Sequence, residues 1–70
     1  MLHFKDIQYI TGCLISPLRE SEGTTIVCTD GKIIYTTIVI SINIQTDTRI
    51  EFETLSNYYI LTVKENRVYE

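Results

Sequence analysis

Ile33-Ile34-Tyr35-Thr36-Thr37-Ile38-Val39-Ile40-Ser41-Ile42-Asn43-Ile44-Gln45 is the stretch on which the fold turns. From Ile34 to Ile44 every even position is isoleucine except Thr36, while from Thr37 the odd positions read Thr, Val, Ser, Asn, Gln. Side chains alternate across a strand, so this period of two gives one oily face and one mostly polar face. β-branched residues dominate it, which suits a pleated, half-buried surface. At roughly 3.3 Å per residue the stretch spans about 40 Å, longer than a small domain is wide. It must bend. One long bent strand shared by two halves of a sheet is how small barrels close.

The flanking sequence supports the same reading. Thr24 to Thr29 is strand-like, and Asp30-Gly31 ahead of the long stretch is a strong hairpin signal. Thr46-Asp47-Thr48 turns the chain into Arg49-Ile50-Glu51-Phe52-Glu53-Thr54, and Leu55 to Tyr58 turns it again into Tyr59-Ile60-Leu61-Thr62-Val63. Upstream, Phe4 to Ile7 reads as a turn or short helix and Tyr9 to Ser16 as a strand. Gly12 within that strand marks a bulge or a close backbone approach, and Pro17 ends it. Leu18 to Gly23 is then the one substantial loop, and Lys64 to Glu70 a polar tail with a short edge strand through Arg67-Val68-Tyr69.

Register can be tested by arithmetic. With residues 46–48 as a loop, Ile44 faces Ile50, Ile42 faces Phe52 and Ile40 faces Thr54. With Ser56-Asn57 as a two-residue turn, Thr54 faces Tyr59, Phe52 faces Leu61 and Ile50 faces Val63. Both hairpins place the same residues on the same face, and a one-residue slip would reverse every side chain. The expected fold is all-β, a single domain over residues 1–70. It takes the form of a small five-stranded antiparallel barrel of SH3-like or Sm-like type, with an OB-like open barrel as the alternative.

Composition narrows the function classes. Seventy residues bury only about 60 % of the surface their unfolded chain exposes, so a domain of this size is marginally stable alone. Hydrophobic residues make up 44 %, too many for a disordered chain. No apolar run approaches the ~20 residues that cross a bilayer, and Met1 to Asp6 lacks the cationic and apolar regions of a signal peptide. The expectation is a soluble cytoplasmic protein. Net charge is −3, with six cationic residues scattered among nine acidic ones, which disfavours non-specific nucleic-acid binding.

Catalytic chemistry has little to work with. The one histidine is His3, near the chain start, and no serine or cysteine lies near it in sequence. Glu51 and Glu53 stand two apart on a strand, a spacing that sets both on the outer face. Cys13 and Cys28 do not complete a zinc-ligand set with His3, and free half-buried thiols are expected in a reducing cytosol. The reading is a non-enzyme without metal or cofactor.

Hydroxyl residues are the more informative group. Taking Asp30-Gly31 as a two-residue turn sets Thr25 opposite Thr36 and Thr24 opposite Thr37, with the Ser56-Asn57 tip alongside. Thr36, Thr37, Thr54, Ser56, Asn57 and Tyr59 then converge, with Thr24 and Thr25, on one end of the barrel. Neutral donors and acceptors beside an apolar core suit a small polar molecule or a peptide backbone. A second feature is apolar residues on both faces. With Ile34, Ile38, Ile40, Ile42 and Ile44 inward, Ile33, Tyr35 and Val39 are left outside, as are Tyr58 and Ile60. Exposed oily patches of that kind mark interfaces, and homo-oligomerisation is expected.

Tyr35-Thr36-Thr37-x-Val39, followed by Phe52-Glu53-Thr54-x-Ser56-Asn57-x-Tyr59-x-Leu61, resembles a pattern of small β proteins of bacteria and their phages. There it reads roughly Thr-Ser-x-Val and later Thr-x-Asn-Ser-x-Tyr. Here Thr37 stands for the serine and Ser56-Asn57 for Asn-Ser. The resemblance covers about half of the chain and implies a β-barrel accessory protein of mobile-element origin, acting in the host cytoplasm if phage-encoded. Two roles follow as expectations. One is sequestration of a small nucleotide immune signal, antagonising host defence, with Arg19 and Arg49 for phosphate and Tyr58 or Tyr59 for base stacking. The other is a protein-interaction module that docks on a host enzyme or nuclease and blocks it, using a sheet edge and its acidic face as a nucleic-acid mimic would.

Overall fold

The computed structural model describes residues 5–64, and these contain strands and turns but no helix. Among the described residues no helix is long and apolar enough to cross a membrane. Six strands form: β1 (Asp6–Leu14), β2 (Thr25–Cys28), β3 (Ile33–Tyr35), β4 (Val39–Gln45), β5 (Arg49–Thr54) and β6 (Asn57–Val63). They make one sheet in the order β3-β2-β1-β6-β5-β4. The fold is all-β, as the alternating patterns require, but the sheet is not closed, has six strands rather than five, and is mixed. β1 pairs in parallel with β6 from Asp6↔Asn57 to Gly12↔Val63, and the other pairs are antiparallel. Ile7, expected in a turn or short helix, already lies in β1. The tail strand proposed for residues 67–69 lies outside the described residues.

The long stretch 33–45 is two strands, split at Thr36-Thr37-Ile38, and they occupy opposite edges of the sheet. Laid flat, five inter-strand spacings would set those edges about 24 Å apart. The joint from Tyr35 to Val39 reaches at most about 14 Å. Hence the sheet curls until its two edges approach, with the bend falling at the interrupted isoleucine pattern.

Inside the curl lie Ile26, Val39, Ile50, Phe52, Tyr59 and Leu61, with Ile10, Leu14, Ile34 and Ile42 packed against them. Phe52 stands opposite Tyr59, and their rings stack at 5.1 Å between centroids. The β5–β6 turn falls at Leu55-Ser56, one residue earlier than expected. This slides the partners along by two and keeps every side chain on its expected face.

β4 departs from simple alternation. It carries irregularities between Val39 and Ser41 and between Ile42 and Ile44. Each inserts one unpaired residue and shifts the alternation by one. Val39, expected outside, is fully buried, and Ile38, Ile40 and Ile44, expected inside, are exposed. Only Ile42↔Phe52 and the adjacent Ser41↔Glu53 keep the expected β4–β5 register.

The hairpin after β2 has a three-residue loop, Thr29-Asp30-Gly31, so Thr25 faces Tyr35 rather than Thr36. Gly31 takes a φ of 94°, and its amide donates to the Cys28 carbonyl at 3.0 Å. Gly12 makes the close approach expected of it, since a Cβ there would lie 2.2 Å from the Val27 carbonyl oxygen. That neighbour is backbone in a paired strand and cannot give. Gly12→Ala should therefore cost about 3 kcal/mol. Gly31→Ala, with open space around it, should cost only the left-handed penalty of about 1–2 kcal/mol. Urea denaturation of the two variants checks the ranking.

Candidate functional site

Three connections meet where the sheet edges converge. Ser21 donates its amide to the Val39 carbonyl (2.8 Å), and Val39 donates to Glu22 (3.0 Å), tying the β1–β2 loop to the start of β4. Leu55 donates to the Ile38 carbonyl (3.1 Å), adding the β5–β6 turn. Thr36 donates its amide to the Thr24 carbonyl (2.9 Å), and its hydroxyl accepts from the Thr24 amide (3.0 Å). That hydroxyl in turn donates to the Thr37 carbonyl at 2.8 Å. The Ser16 and Thr24 hydroxyls pair at 3.0 Å, and Ser16 Oγ accepts from the Thr25 amide at 3.1 Å.

The end of the sheet is thus rich in hydroxyls, as the register arithmetic anticipates. Their bonding shows what most of them do. Thr54, fully buried, accepts from the amides of Ser56 (3.2 Å) and Asn57 (3.0 Å) and donates to the Asn57 carbonyl (3.1 Å). Its capacity is spent on shaping its own turn. Thr37 and Ser56 differ. Both are exposed, their hydroxyls lie 3.3 Å apart, and each keeps lone pairs for a ligand.

Tyr59, Tyr58 and Arg49, also expected in the site, do not join them. Tyr59 is buried in the core with its hydroxyl accepting from Asn57 Nδ2 at 3.2 Å. Tyr58 points to the opposite face, where its hydroxyl accepts from Asn43 Nδ2 (3.0 Å) and donates to Glu51 Oε1 (3.0 Å). Arg49 sits at the far end of β5, about 17 Å along the strand from Thr54. Its Nε donates to Glu51 Oε2 at 2.5 Å, so its charge is already met by a carboxylate. Arg19 is exposed in the loop that packs at the corner. Glu53 holds Lys5 at 2.5 Å, and Lys5 also donates to the Thr54 carbonyl at 2.7 Å. Among the described residues no three His, Cys, Asp or Glu side chains come together in a way that holds a metal ion.

A pocket of about 260 Å³ lies elsewhere, between β1 and the β2–β3 hairpin. Gln8, Ile10, Cys28, Asp30, Lys32 and Ile34 are among its lining residues. Burial, and then the Asp30 carboxylate, push the Cys28 thiol pKa up, with Lys32 opposing. A raised pKa lowers the thiolate fraction of Cys28. The pocket exists because β1 has nine residues and β2 only four, a mismatch that strand patterning does not reveal. Comparison with protein-family models, curated proteins and solved structures returned no match.

The two kinds of hydroxyl are separable by substitution. Thr54→Val should cost about 2–3 kcal/mol, because two amides and a carbonyl lose their partner in a buried turn. Thr37→Val should change stability by less than about 0.5 kcal/mol, as expected at an exposed position. Thermal melts of both variants test the contrast, and a comparable loss for Thr37→Val would make its hydroxyl structural as well.

Proposed function

We propose that this chain is a non-catalytic binding module whose working surface is the outer face of its curled sheet. It docks on a protein partner and blocks it. In the setting implied by the resemblance, that is a phage-type accessory protein acting on a host enzyme or nuclease in the cytoplasm. The strong curl, tied at one corner, favours reading the fold as a variant of the small SH3-like barrels.

One observation carries the proposal: the outer face is apolar across four adjacent strands. Cys13, Val27 and Ile33 stand side by side on β1, β2 and β3. Tyr9 neighbours Ile60 and Ile7 neighbours Tyr58 on β1 and β6. Ile7, Tyr9, Ile33 and Tyr35 are 52, 76, 51 and 76 % exposed. A contiguous patch of this kind on a small chain marks an interaction surface, and tyrosines are favoured anchors in such surfaces. The acidic outer residues weigh less, because Glu51 and Glu53 are paired with Arg49 and Lys5. Self-association through the same face covers it in the free protein.

Nucleotide sequestration stays as a second reading, favoured by the exposed Thr37–Ser56 pair alone. Because Arg49 lies remote from that pair, the phosphate partner in this reading is Arg19, exposed in the loop at the same corner. Light scattering at micromolar concentration should report a dimer or larger, and Ile33→Asp should yield a folded monomer whose melting temperature no longer rises with protein concentration. Co-purification from a bacterial host should recover a partner whose yield falls about tenfold with Tyr35→Asp, since a charge in a desolvated contact is costly. A saturable rise in melting temperature with one member of a nucleotide panel, lost in Ser56→Ala, would transfer the function to sequestration.

A further inference from the structure

The ladder between β1 and β2 ends at Gly12↔Cys28, with one further bond from the Thr29 amide to the Thr11 carbonyl at 2.9 Å. β1 nevertheless continues back to Asp6 along β6. Alternation decides where its main chain points. Ile15 donates to Thr25 and Thr11 accepts from Thr29, so the odd residues of β1 direct their amides and carbonyls toward the β2 side. The even residues turn to β6, in keeping with the bond from the Lys64 amide to the Gly12 carbonyl. Ile7 and Tyr9 therefore present two amides and two carbonyls to the β2 side beyond the end of β2, where no strand lies among the described residues.

Beside that open edge lies the 260 Å³ pocket, walled on its far side by the β2–β3 hairpin. It is just below the range of pockets that hold drug-sized ligands, about 300–1,000 Å³, and suits a side chain. A segment beside Ile7 and Tyr9 lies in line with β2 and end-on to the β2–β3 hairpin, so the opening suits one short extended segment. Unpaired main-chain groups next to a side-chain pocket are the elements of strand addition.

We propose that an extended segment of a protein partner adds to the sheet here, pairing with Ile7 and Tyr9 and placing one side chain in the pocket. This rests on the reading of the chain as a protein-docking module and names the form of what it docks. Alternate residues of the segment lie on the outer face beside the exposed Ile7 and Tyr9 side chains, so apolar residues belong there. The residue between them enters a pocket with Asp30 and Lys32 at one wall and Cys28 and Ile34 at another, so a small polar side chain belongs there. The partner segment alternates apolar and polar.

Short random linear peptides displayed in a library and selected on the full chain provide the probe. Selected sequences should alternate apolar and polar residues. In the free protein the Ile7 and Tyr9 amides should exchange hydrogen quickly and those of Gln8 and Ile10 slowly, and a selected peptide should protect the first pair. Tyr9→Pro removes an amide on the open side alone and should weaken that peptide about tenfold. Should this variant not fold, amide exchange on the unaltered chain decides. Ile7 and Tyr9 amides already protected without peptide, or peptides that protect only other amides, would overturn the strand-addition site. A library that yields no binder overturns it too. If Tyr35→Asp still abolishes partner recovery in that event, the docking reading stands without the edge.

Discussion

Three residues, Thr36-Thr37-Ile38, constrain this fold more than any other segment. They join strands at opposite edges of a six-stranded sheet, and their reach is shorter than the flat width of that sheet. Curvature is therefore imposed by chain connectivity. Once the sheet curls, its concave face has volume for Phe52, Tyr59, Leu61, Ile26, Ile50 and Val39, and these form the buried core. The parallel β1–β6 pair follows from the same arrangement: β1 lies in the middle of the sheet and joins the β2–β3 hairpin to the β4–β5–β6 meander.

A joint so short leaves backbone groups that no ladder can pair, and buried main-chain groups left unpaired are costly. The hydroxyls around it meet that need. Thr36 both accepts from and donates to neighbouring backbone, Ser16 and Thr24 tie in the long loop, and Thr54 closes the adjoining turn. The spacing Thr36-Thr37-x-Val39 and Thr54-x-Ser56-Asn57-x-Tyr59 falls on this corner, and most of its members have structural work there. Val39 and Tyr59 are core, and Thr54 shapes a turn. Thr37 and Ser56, both exposed, keep bonding capacity in solvent.

What the corner does not consume is on the convex side. Tyr9, Tyr35, Ile7 and Ile33 cover the outer face of β1 and β3, and the main chain of β1 lies open where β2 ends. Both features come from a small sheet with apolar residues on two faces and one side for a core. A seventy-residue chain has too little volume to bury both.

The sequence by itself determined the all-β class, the turns near residues 30, 47 and 56, and the shared inward face of Ile50, Phe52, Tyr59 and Leu61. Alternation and turn chemistry are local, and a slip of two residues preserves them. It also placed Thr36, Thr37 and Ser56 at one end, because hairpin register carries that far. Only the tertiary structure decided which side of β4 faces inward, since each bulge costs one residue of phase and leaves no mark in a row of isoleucines. Val39 consequently replaced Ile40 in the core. It also separated Arg49 from the corner, turned Tyr58 away from Tyr59, and consumed the Thr54 hydroxyl, because bonding partners and strand ends are set by contacts distant in sequence. The parallel pairing of β1 with β6 belongs with these. It depends on residues about fifty positions apart meeting, and no local pattern records that.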